Sequence, residues 1–202
     1  MRSNPTRVIR PSTKLAPRDA VWRCLPTWVQ KVLLTMLLAS SLAGAAPAVQ
    51  AQLPSEASVK AAFLYKFLAY VDWPATALTA ANSPLVIGVL GADALGAELQ
   101  AITAGRQVNG RPVLTRRMSN GDTLEGLHVV FVGRGAPSGV LERLRGRSIL
   151  VVAEDGLEPG VMLNFVPIGG RVRFEAAPVA AERVGLKLGA RLLAVAERVV
   201  AQ

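Results

Sequence analysis

The chain has 202 residues, with 23 lysines and arginines, 14 acidic residues, one Cys and one His. Residues 1–51 hold seven of the basic residues and one acid, so residues 52–202 hold 16 basic and 13 acidic residues, a net charge of +3. A charge of this size suits a soluble protein and excludes the strongly basic class of nucleic-acid-binding domains. About 150 residues are enough for one self-sufficient hydrophobic core.

Residues 1–51 have the pattern of a secretory signal peptide. A basic stretch precedes the apolar run at 32–39, and small residues then lead to Ala51. The apolar run is shorter than the roughly 20 residues that span a bilayer, so the sequence favours a cleaved leader over a membrane anchor. We expect cleavage after Ala51, with a site after Ala45 as the alternative. The basic stretch is long for a leader, which also fits a true start near Val29.

The first predicted element of the exported region, residues 52–202, is a helix that opens at Ser55 and Glu56. A hydroxyl at the cap and an acid in the first turn both suit a helix N-terminus. We expect the helix to end at Trp73, because Pro74 pushes the residue before it out of the helical region. Its core face is predicted from helical spacing to consist of Val59, Phe63, Phe67 and Tyr70.

The elements that follow alternate between apolar strands and helices. In chain order, the predicted segments are a strand at Pro84–Gly91, a helix at Ala92–Thr103, an edge strand at Arg111–Arg116, a strand at Leu127–Val132, a helix at Pro137–Arg145, a strand at Ser148–Ala153, and strands at Val161–Val166 and Arg171–Phe174. Such alternation predicts an α/β fold in three layers, a largely parallel sheet with helices on both faces. The last two strands are predicted to form an added hairpin.

The last predicted element is a long terminal helix over Pro178–Val200. Its core stripe at helical spacing is Val184, Leu188, Leu192, Val195 and Val199. Gly185 and Gly189 weaken a helix, so their presence favours close packing of another element, either within the fold or across a homodimer.

Catalytic and metal-binding residues are scarce. Cleavage would remove Cys24, and the remaining His128 lies within a strand, so Cys–His metal sites, Cys–His catalysis and disulfides are excluded from the exported region. Glu154, Asp155 and Glu158 follow a predicted strand, where we interpret them as a solvated loop rather than an acid–base pair. We therefore expect no enzyme activity, no metal and no cofactor.

Two glycine-rich turns follow predicted strands. Gly91 opens one, and the other contains Gly133, Arg134 and Gly135. Turns of this kind present backbone amides to an anion at a helix N-terminus, and Arg134 would assist. We interpret them mainly as structural turns, with a site for a small anionic or nucleotide-like ligand as the alternative.

Two further groups are candidates for contacts with a partner. Tyr65 projects away from the core face of the first helix, and Trp73 lies at its exit; Tyr and Trp are enriched at protein interfaces. Arg183, Lys187 and Arg191 are predicted to line one flank of the terminal helix. A solvated face is the default interpretation of these cations, and a surface for an acidic partner is the alternative.

Both ends of the exported region resemble the YfiR family. The stretch 60–74, read KAAFLYKFLAYVDWP, looks like that family's opening helix, and its Trp-Pro ending is specific. The family's later segments are matched by Val89–Gly91, Gly110–Val113, Met162–Phe165, Gly170–Glu175, Gly185–Leu188 and Leu192–Leu193, so the resemblance covers essentially residues 56–200. The chain departs from the family at Ala177, where Asn is frequent, and in lacking cysteines after residue 51.

The resemblance implies a small periplasmic protein that works by binding. The best-known members restrain an inner-membrane diguanylate cyclase through its periplasmic region, which lowers cyclic di-GMP and biofilm formation. We therefore expect a partner of this kind, a diguanylate cyclase or a sensor kinase, for the present chain. The alternative function, which comes from the glycine turns, is a periplasmic solute-binding domain.

Overall fold

The structure, a computed structural model, describes residues 53–78, 80 and 82–201. Its helices are α1 (Glu56–Phe67), α2 (Asp93–Thr103), α3 (Val140–Leu144), α4 (Pro178–Glu182) and α5 (Ala190–Leu193). Its strands are β1 (Val71–Asp72), β2 (Leu85–Leu90), β3 (Gln107–Val108), β4 (Arg111–Met118), β5 (Val129–Val132), β6 (Leu150–Ala153), β7 (Leu163–Ile168), β8 (Arg171–Ala176), β9 (Lys187–Leu188) and β10 (Arg198–Val199). The predicted signal peptide lies outside the described residues and stays a prediction.

Eight of the described strands form one sheet in the order β10-β8-β7-β6-β5-β2-β4-β3. The strands β4, β2, β5, β6 and β7 run parallel to one another, whereas β8 runs antiparallel to β7 as the predicted hairpin and β3 runs antiparallel to β4. The apolar sequences of β2, β5 and β6 follow from burial on both faces of the sheet. The predicted α/β fold, with a largely parallel sheet and an added hairpin, is confirmed.

The chain order changes direction at β2, which pairs with β4 on one side and with β5 on the other. Residues Ile87 and Phe131 belong to the larger core, which α1, α2 and α4 cover. Val130 and Val151 point into a second core under α3 and the neighbouring loops. The carboxyl ends of β2 and β5 therefore meet at the point where open α/β sheets most often bind ligands.

Five phenylalanines form the centre of the larger core. The helix α1 contributes Phe63 and Phe67, whose rings lie 5.0 to 6.0 Å from those of Phe165 and Phe174, and Phe131 lies 6.1 Å from Phe165. Aromatic pairs at these separations attract one another beyond the effect of buried area alone. This cluster ties the first helix to the hairpin that lies about 100 residues later in the chain.

The first helix ends earlier than its apolar spacing predicts. Ser55 caps it as expected, accepting a hydrogen bond from the Ser58 amide at 3.0 Å, but the helix stops at Phe67. Val71 and Asp72 form β1, which pairs antiparallel with β9. The prediction that Tyr70 lies on the core face was therefore wrong, since 41% of this residue is exposed.

The single terminal helix predicted over residues 178–200 was also wrong. The segment divides into α4, β9, α5 and β10, because Gly185 adopts a left-handed φ of +77° and ends α4. In the predicted core stripe, Leu188 and Leu192 are buried, whereas Val195 and Val199 are 64% and 49% exposed. The cations of this segment therefore do not share one helical flank.

Close packing at Gly189, one of the two interpretations of the spaced glycines, occurs within the fold. The Gly189 amide donates to the Tyr70 carbonyl at 2.8 Å, and a Cβ at Gly189 would lie 3.0 Å from the same oxygen. The homodimer alternative stays a prediction.

Candidate functional site

The two glycine turns meet at the carboxyl ends of β2 and β5. The Gly133 amide donates to the Leu90 carbonyl at 2.8 Å, and the Gly135 amide donates to the Gly91 carbonyl at 3.2 Å. A Cβ on Gly91 would lie 2.1 Å from the backbone nitrogen of Ala136. The structure thus brings the predicted ligand-binding glycines together, but their close approach is to each other, and the amides of Gly133 and Gly135 already have acceptors.

Arg134 extends this contact toward the loop that follows β6. Its backbone amide donates to Oε1 of Glu154 at 3.1 Å, and its Nε donates to Oδ1 of Asp155, also at 3.1 Å. The Arg134 and Asp155 side chains are both mostly exposed. The positive charge that an anion would require here is therefore shared with a carboxylate.

A buried ion pair lies beside the glycine turns. Lys60 Nζ contacts Oε2 of Glu154, and it also contacts Oε1 of Glu56 at 2.6 Å. Only 10% of the Lys60 side chain and 14% of the Glu154 side chain are exposed, whereas Glu56 is in solvent. We call Glu56, Lys60, Arg134, Glu154 and Asp155 the carboxyl-edge cluster. It joins α1 to the end of β6, 94 residues along the chain.

The cluster shifts the pKa of both members of the buried pair. Burial alone would raise the pKa of Glu154, but its hydrogen bond from Lys60 and the one from the Arg134 amide outweigh burial, so this pKa is lowered. Burial likewise opposes the charge of Lys60, but hydrogen bonds to Glu154 and Glu56 outweigh it, and its pKa is raised. Both groups are therefore charged at neutral pH.

The prediction of a solvated acidic loop after β6 was wrong for Glu154 and correct for Asp155 and Glu158, which are exposed. The sequence analysis also missed Lys60 as a member of the cluster. A sequence signal was present, because Lys60 lies on the same side of α1 as Ala57 and Ala61, which pack in the larger core. A lysine on such a face requires a buried partner.

Buried Asn164 holds the same loop from below. Its Oδ1 accepts the Gly156 amide at 2.9 Å, and its Nδ2 donates to Oε2 of Glu175 at 3.3 Å.

Next to the loop that follows β6 lies a cavity of about 260 Å³, whose polar side chains are those of Arg134, Ser138, Glu142, Asp155 and Glu158. Its lining carries more negative than positive groups, so the geometry gives little support to an anionic ligand there.

At the opposite, amino end of the sheet, His128 is buried and connects three segments. Its Nδ1 accepts the Val86 amide at 3.2 Å, so the proton is on Nε2, which donates to the Ala77 carbonyl at 3.2 Å. The Trp73 indole Nε1 donates to the His128 carbonyl at 3.3 Å. This bonding makes His128 a structural residue in the strand, which is how its sequence position was interpreted.

The structure separates the predicted partner-binding residues into two places. Trp73 follows β1 directly, and β1 pairs with β9 so that Asp72 lies opposite Lys187. Arg183 and Arg191 flank β9 in the chain and are exposed. Tyr65 lies elsewhere, with its hydroxyl donating to the Gln107 carbonyl of β3 and with Arg106 5.6 Å from its ring centroid.

Comparison with known protein families gives a match over residues 57–197 to the model of the YfiR/HmsC-like family. No curated protein matches the sequence closely enough to count as a relative. The match covers more than half of the chain. The chain belongs to the YfiR/HmsC-like family. The resemblance stated from the sequence is thereby confirmed.

The YfiR/HmsC-like match begins at Ala57 and ends at Glu197. It therefore includes Lys60 and Glu154 of the carboxyl-edge cluster, the two glycine turns and the pairing of β1 with β9. Within the part of the chain that the structure describes, no helix is long and apolar enough to cross a membrane.

We expect His128 to make this YfiR/HmsC-like chain less stable in mild acid. Burial, opposed by the hydrogen bond to Ala77 and aided by the charge of Arg111, lowers the pKa of His128 below 6.5. The unfolded chain then binds the proton more readily, so stability is complete above pH 6.5 and falls as the pH drops toward the folded-state pKa. Urea unfolding between pH 7.5 and 5 measures the loss, which is no steeper than about 1.4 kcal/mol per pH unit.

The control is His128→Asn, whose side-chain oxygen retains an acceptor for the Val86 amide. Asn does not titrate, so the variant should be less stable than the wild type at pH 7.5 but flat between pH 6.5 and 5. An equal decline in this variant would assign the pH dependence to other groups.

Proposed function

We propose that this chain is a periplasmic regulatory binding protein without enzyme activity. Its partner would be the periplasmic region of an inner-membrane diguanylate cyclase, which it restrains, or of a related receptor such as a sensor kinase. The observation that carries the proposal is the YfiR/HmsC-like match over residues 57–197, which spans nearly all of the described fold. The leader-like pattern of residues 1–51 supports export to the same compartment.

The surface that best supports docking surrounds the β1–β9 pair. We call Tyr70, Trp73, Arg183, Lys187 and Arg191 the β1–β9 platform. Tyr70 and the three cations are exposed, and Trp73 is half-buried. The backbone at Tyr70 and Lys187 is held by the β1–β9 ladder and by the hydrogen bond from the Gly189 amide to the Tyr70 carbonyl, and Arg183 and Arg191 lie four residues to either side of Lys187. An aromatic and basic surface on a fixed backbone is typical of protein interfaces, where Tyr, Trp and Arg are enriched.

The charge of the platform favours an acidic partner surface. None of its three cations forms a salt bridge with another described residue, although Asp72 lies opposite Lys187 in the ladder. Complementary charges accelerate association and suppress wrong partners more than they raise affinity. We therefore expect the interaction to weaken with salt.

Charge reversal on the platform tests the proposal in cells. We expect deletion of the gene to raise the cellular level of cyclic di-GMP. The wild-type chain should return that level to normal, and Lys187→Glu/Arg191→Glu should fail to do so. Both positions are exposed, so the fold should persist, with a cost of about 0.5 kcal/mol for the acid placed opposite Asp72. Reversal places like charges against the acidic partner at a cost of several kcal/mol. Cyclic di-GMP measured by mass spectrometry, with the abundance of the folded chain, checks the result.

The matched control is Arg171→Glu/Arg173→Glu on β8, which changes the net charge equally at two exposed positions away from β1 and β9. We expect this variant to return cyclic di-GMP to its normal level, as the wild type does. If deletion leaves cyclic di-GMP unchanged, a kinase partner or solute binding replaces the cyclase; thermal-shift measurements with nucleotides and inorganic phosphate then test solute binding. Trp73→Phe keeps an aromatic ring but removes the indole N–H that donates to the His128 carbonyl. Comparing its stability with its effect on cyclic di-GMP separates the role of Trp73 in partner contact from its role in folding.

A further inference from the structure

The sheet has an unpaired outer edge at β4. The strand β3 pairs only with the first two residues of β4, as Gln107 with Pro112 and Val108 with Arg111. The Val113 amide then donates to the Arg106 carbonyl at 3.0 Å, and no described strand pairs with residues 114–118 on that side. Five residues of extended chain span about 17 Å, enough for a short added strand.

The backbone groups along this edge are aimed outward. Since the Val113 amide points away from β2, the alternation of a strand directs the main-chain N–H and C=O groups of Thr115 and Arg117 the same way. The groups of Leu114 and Arg116 face β2, whose pairing with β4 continues to Met118. An unpaired edge of this kind is a template for another strand.

The edge is strongly positive. The fifteen residues 104–118 contain four arginines and no acid, and none of these arginines forms a salt bridge with a described residue. Arg111 and Arg116 bind backbone carbonyls of nearby loops, and Arg106 lies over the Tyr65 ring. Arg117 is exposed, and its stem packs near α2 at Gly96.

An apolar side chain accompanies the charge. Leu114 is 51% exposed on the face of β4 opposite α2, next to half-buried Val86 on β2. Charge alone on an edge strand protects it from aggregation, whereas an exposed Leu beside the charge offers an anchor. We propose that the outer edge of β4 binds an extended segment, rich in Asp and Glu, of a partner protein, which adds as a strand at Thr115 and Arg117.

This surface is separate from the β1–β9 platform, and the proposal holds whichever partner binds there. Backbone hydrogen bonds to Thr115 and Arg117 would supply affinity, while Arg117 and its neighbouring arginines would select acidic side chains. Leu114 would pack against an apolar residue of the added strand on the other face.

The test uses an eight-residue peptide that alternates Glu with Val and Thr, and the purified chain. We expect hydrogen exchange of the Thr115 and Arg117 amides, followed by NMR, to slow about tenfold or more at saturating peptide, since both gain acceptors. The amides of Leu114 and Arg116, already in the β2 ladder, should not change. A peptide with Lys in place of Glu should bind at least about tenfold more weakly.

Three controls separate strand addition from charge attraction. An acidic peptide N-methylated at alternate residues keeps its charge but cannot pair, so it should not bind. Thr115→Pro removes one outward amide and should abolish binding, while Thr115→Val keeps the amide, loses the same hydroxyl contact to Thr103, and should bind. Arg117→Glu should reverse the preference between the acidic and Lys-containing peptides.

Equal binding of the acidic and N-methylated peptides, or unchanged exchange at Thr115 and Arg117, would overturn the proposal. Equal binding of the acidic and Lys-containing peptides would do the same. If Thr115→Pro unfolds, as judged by circular dichroism, Arg117→Glu and the exchange data decide the matter.

Discussion

We expect Lys60→Met to lower the free energy of unfolding by about 3 kcal/mol, because it leaves the Glu154 carboxylate buried without its cation. The loss is large because the Glu154 side chain is 14% exposed and the Arg134 amide alone cannot replace an ammonium group. Unfolding in urea, followed by far-ultraviolet circular dichroism, measures the change in midpoint and slope.

The matched control is Arg134→Met, which removes the charge partner of Asp155 at an exposed position. It should cost less than about 1 kcal/mol, since exposed ion pairs are screened by water. The double variant Lys60→Met/Glu154→Leu removes both buried charges and should lie within about 1 kcal/mol of the wild type. Equal losses for Lys60→Met and Arg134→Met would contradict a buried pair.

The same pair gives the acid limit of stability a definite sign. The folded-state pKa of Glu154 is below its ordinary value of 4.5, so the unfolded chain binds this proton more readily. The stabilisation is complete above pH 4.5 and is lost as the pH falls through the folded-state pKa. The raised pKa of Lys60 keeps both members of the pair charged up to alkaline pH. The double variant lacks the pair, so it should lose the pair's contribution to the pH dependence of stability, below pH 4.5 and at strongly alkaline pH.

The second large effect is expected at Gly91. Gly91→Ala should lower the free energy of unfolding by about 4 kcal/mol, combining the left-handed conformation with overlap against a neighbouring backbone. Gly91 has a φ of +69°, and its Cβ would lie 2.1 Å from the Ala136 nitrogen. Neither atom can move freely, because Gly135 and Gly133 bond to the β2 end. Urea unfolding again provides the measurement.

Comparison with Gly105→Ala separates the energetic cost of the overlap at Gly91 from the cost of the left-handed conformation. Gly105 has a φ of +67°, and no atom lies within 4 Å of its Cβ position, so only the left-handed strain of about 1 kcal/mol remains. A comparable loss in both variants would mean that the turns after β2 and β5 are not in contact. A ligand-binding role alone for Gly91 predicts an alanine variant that folds normally and loses only a ligand.

Several features could be predicted because their cause is local. The apolar runs at 85–90, 129–132 and 150–153 are strands buried on both faces, and composition alone identifies them. The hairpin of β7 and β8 follows from two strand-like runs joined at Gly169 and Gly170. The glycine turns were found for the same reason, although their contact with each other was not.

The carboxyl-edge cluster could be predicted only in part. Asp155 and Glu158 follow a strand and lie in solvent, as their composition suggests. The burial of Glu154 depends on Lys60, which approaches from a helix 94 residues earlier. A single sequence specifies which residues carry charge, but burial and pairing depend on which distant element packs over them.

By itself the sequence determined the α/β class, the order of the buried strands and the family, since apolar runs, turns and motifs are properties of neighbouring residues. The tertiary structure decided where the two terminal segments leave the helical conformation. Helical spacing continues through Tyr70 and along 184–199, but Val71 pairs with Leu188 and Gly189 bonds to the Tyr70 carbonyl. Hydrogen bonds between residues more than 100 positions apart outweigh a modest local preference for helix, and local spacing contains no trace of them.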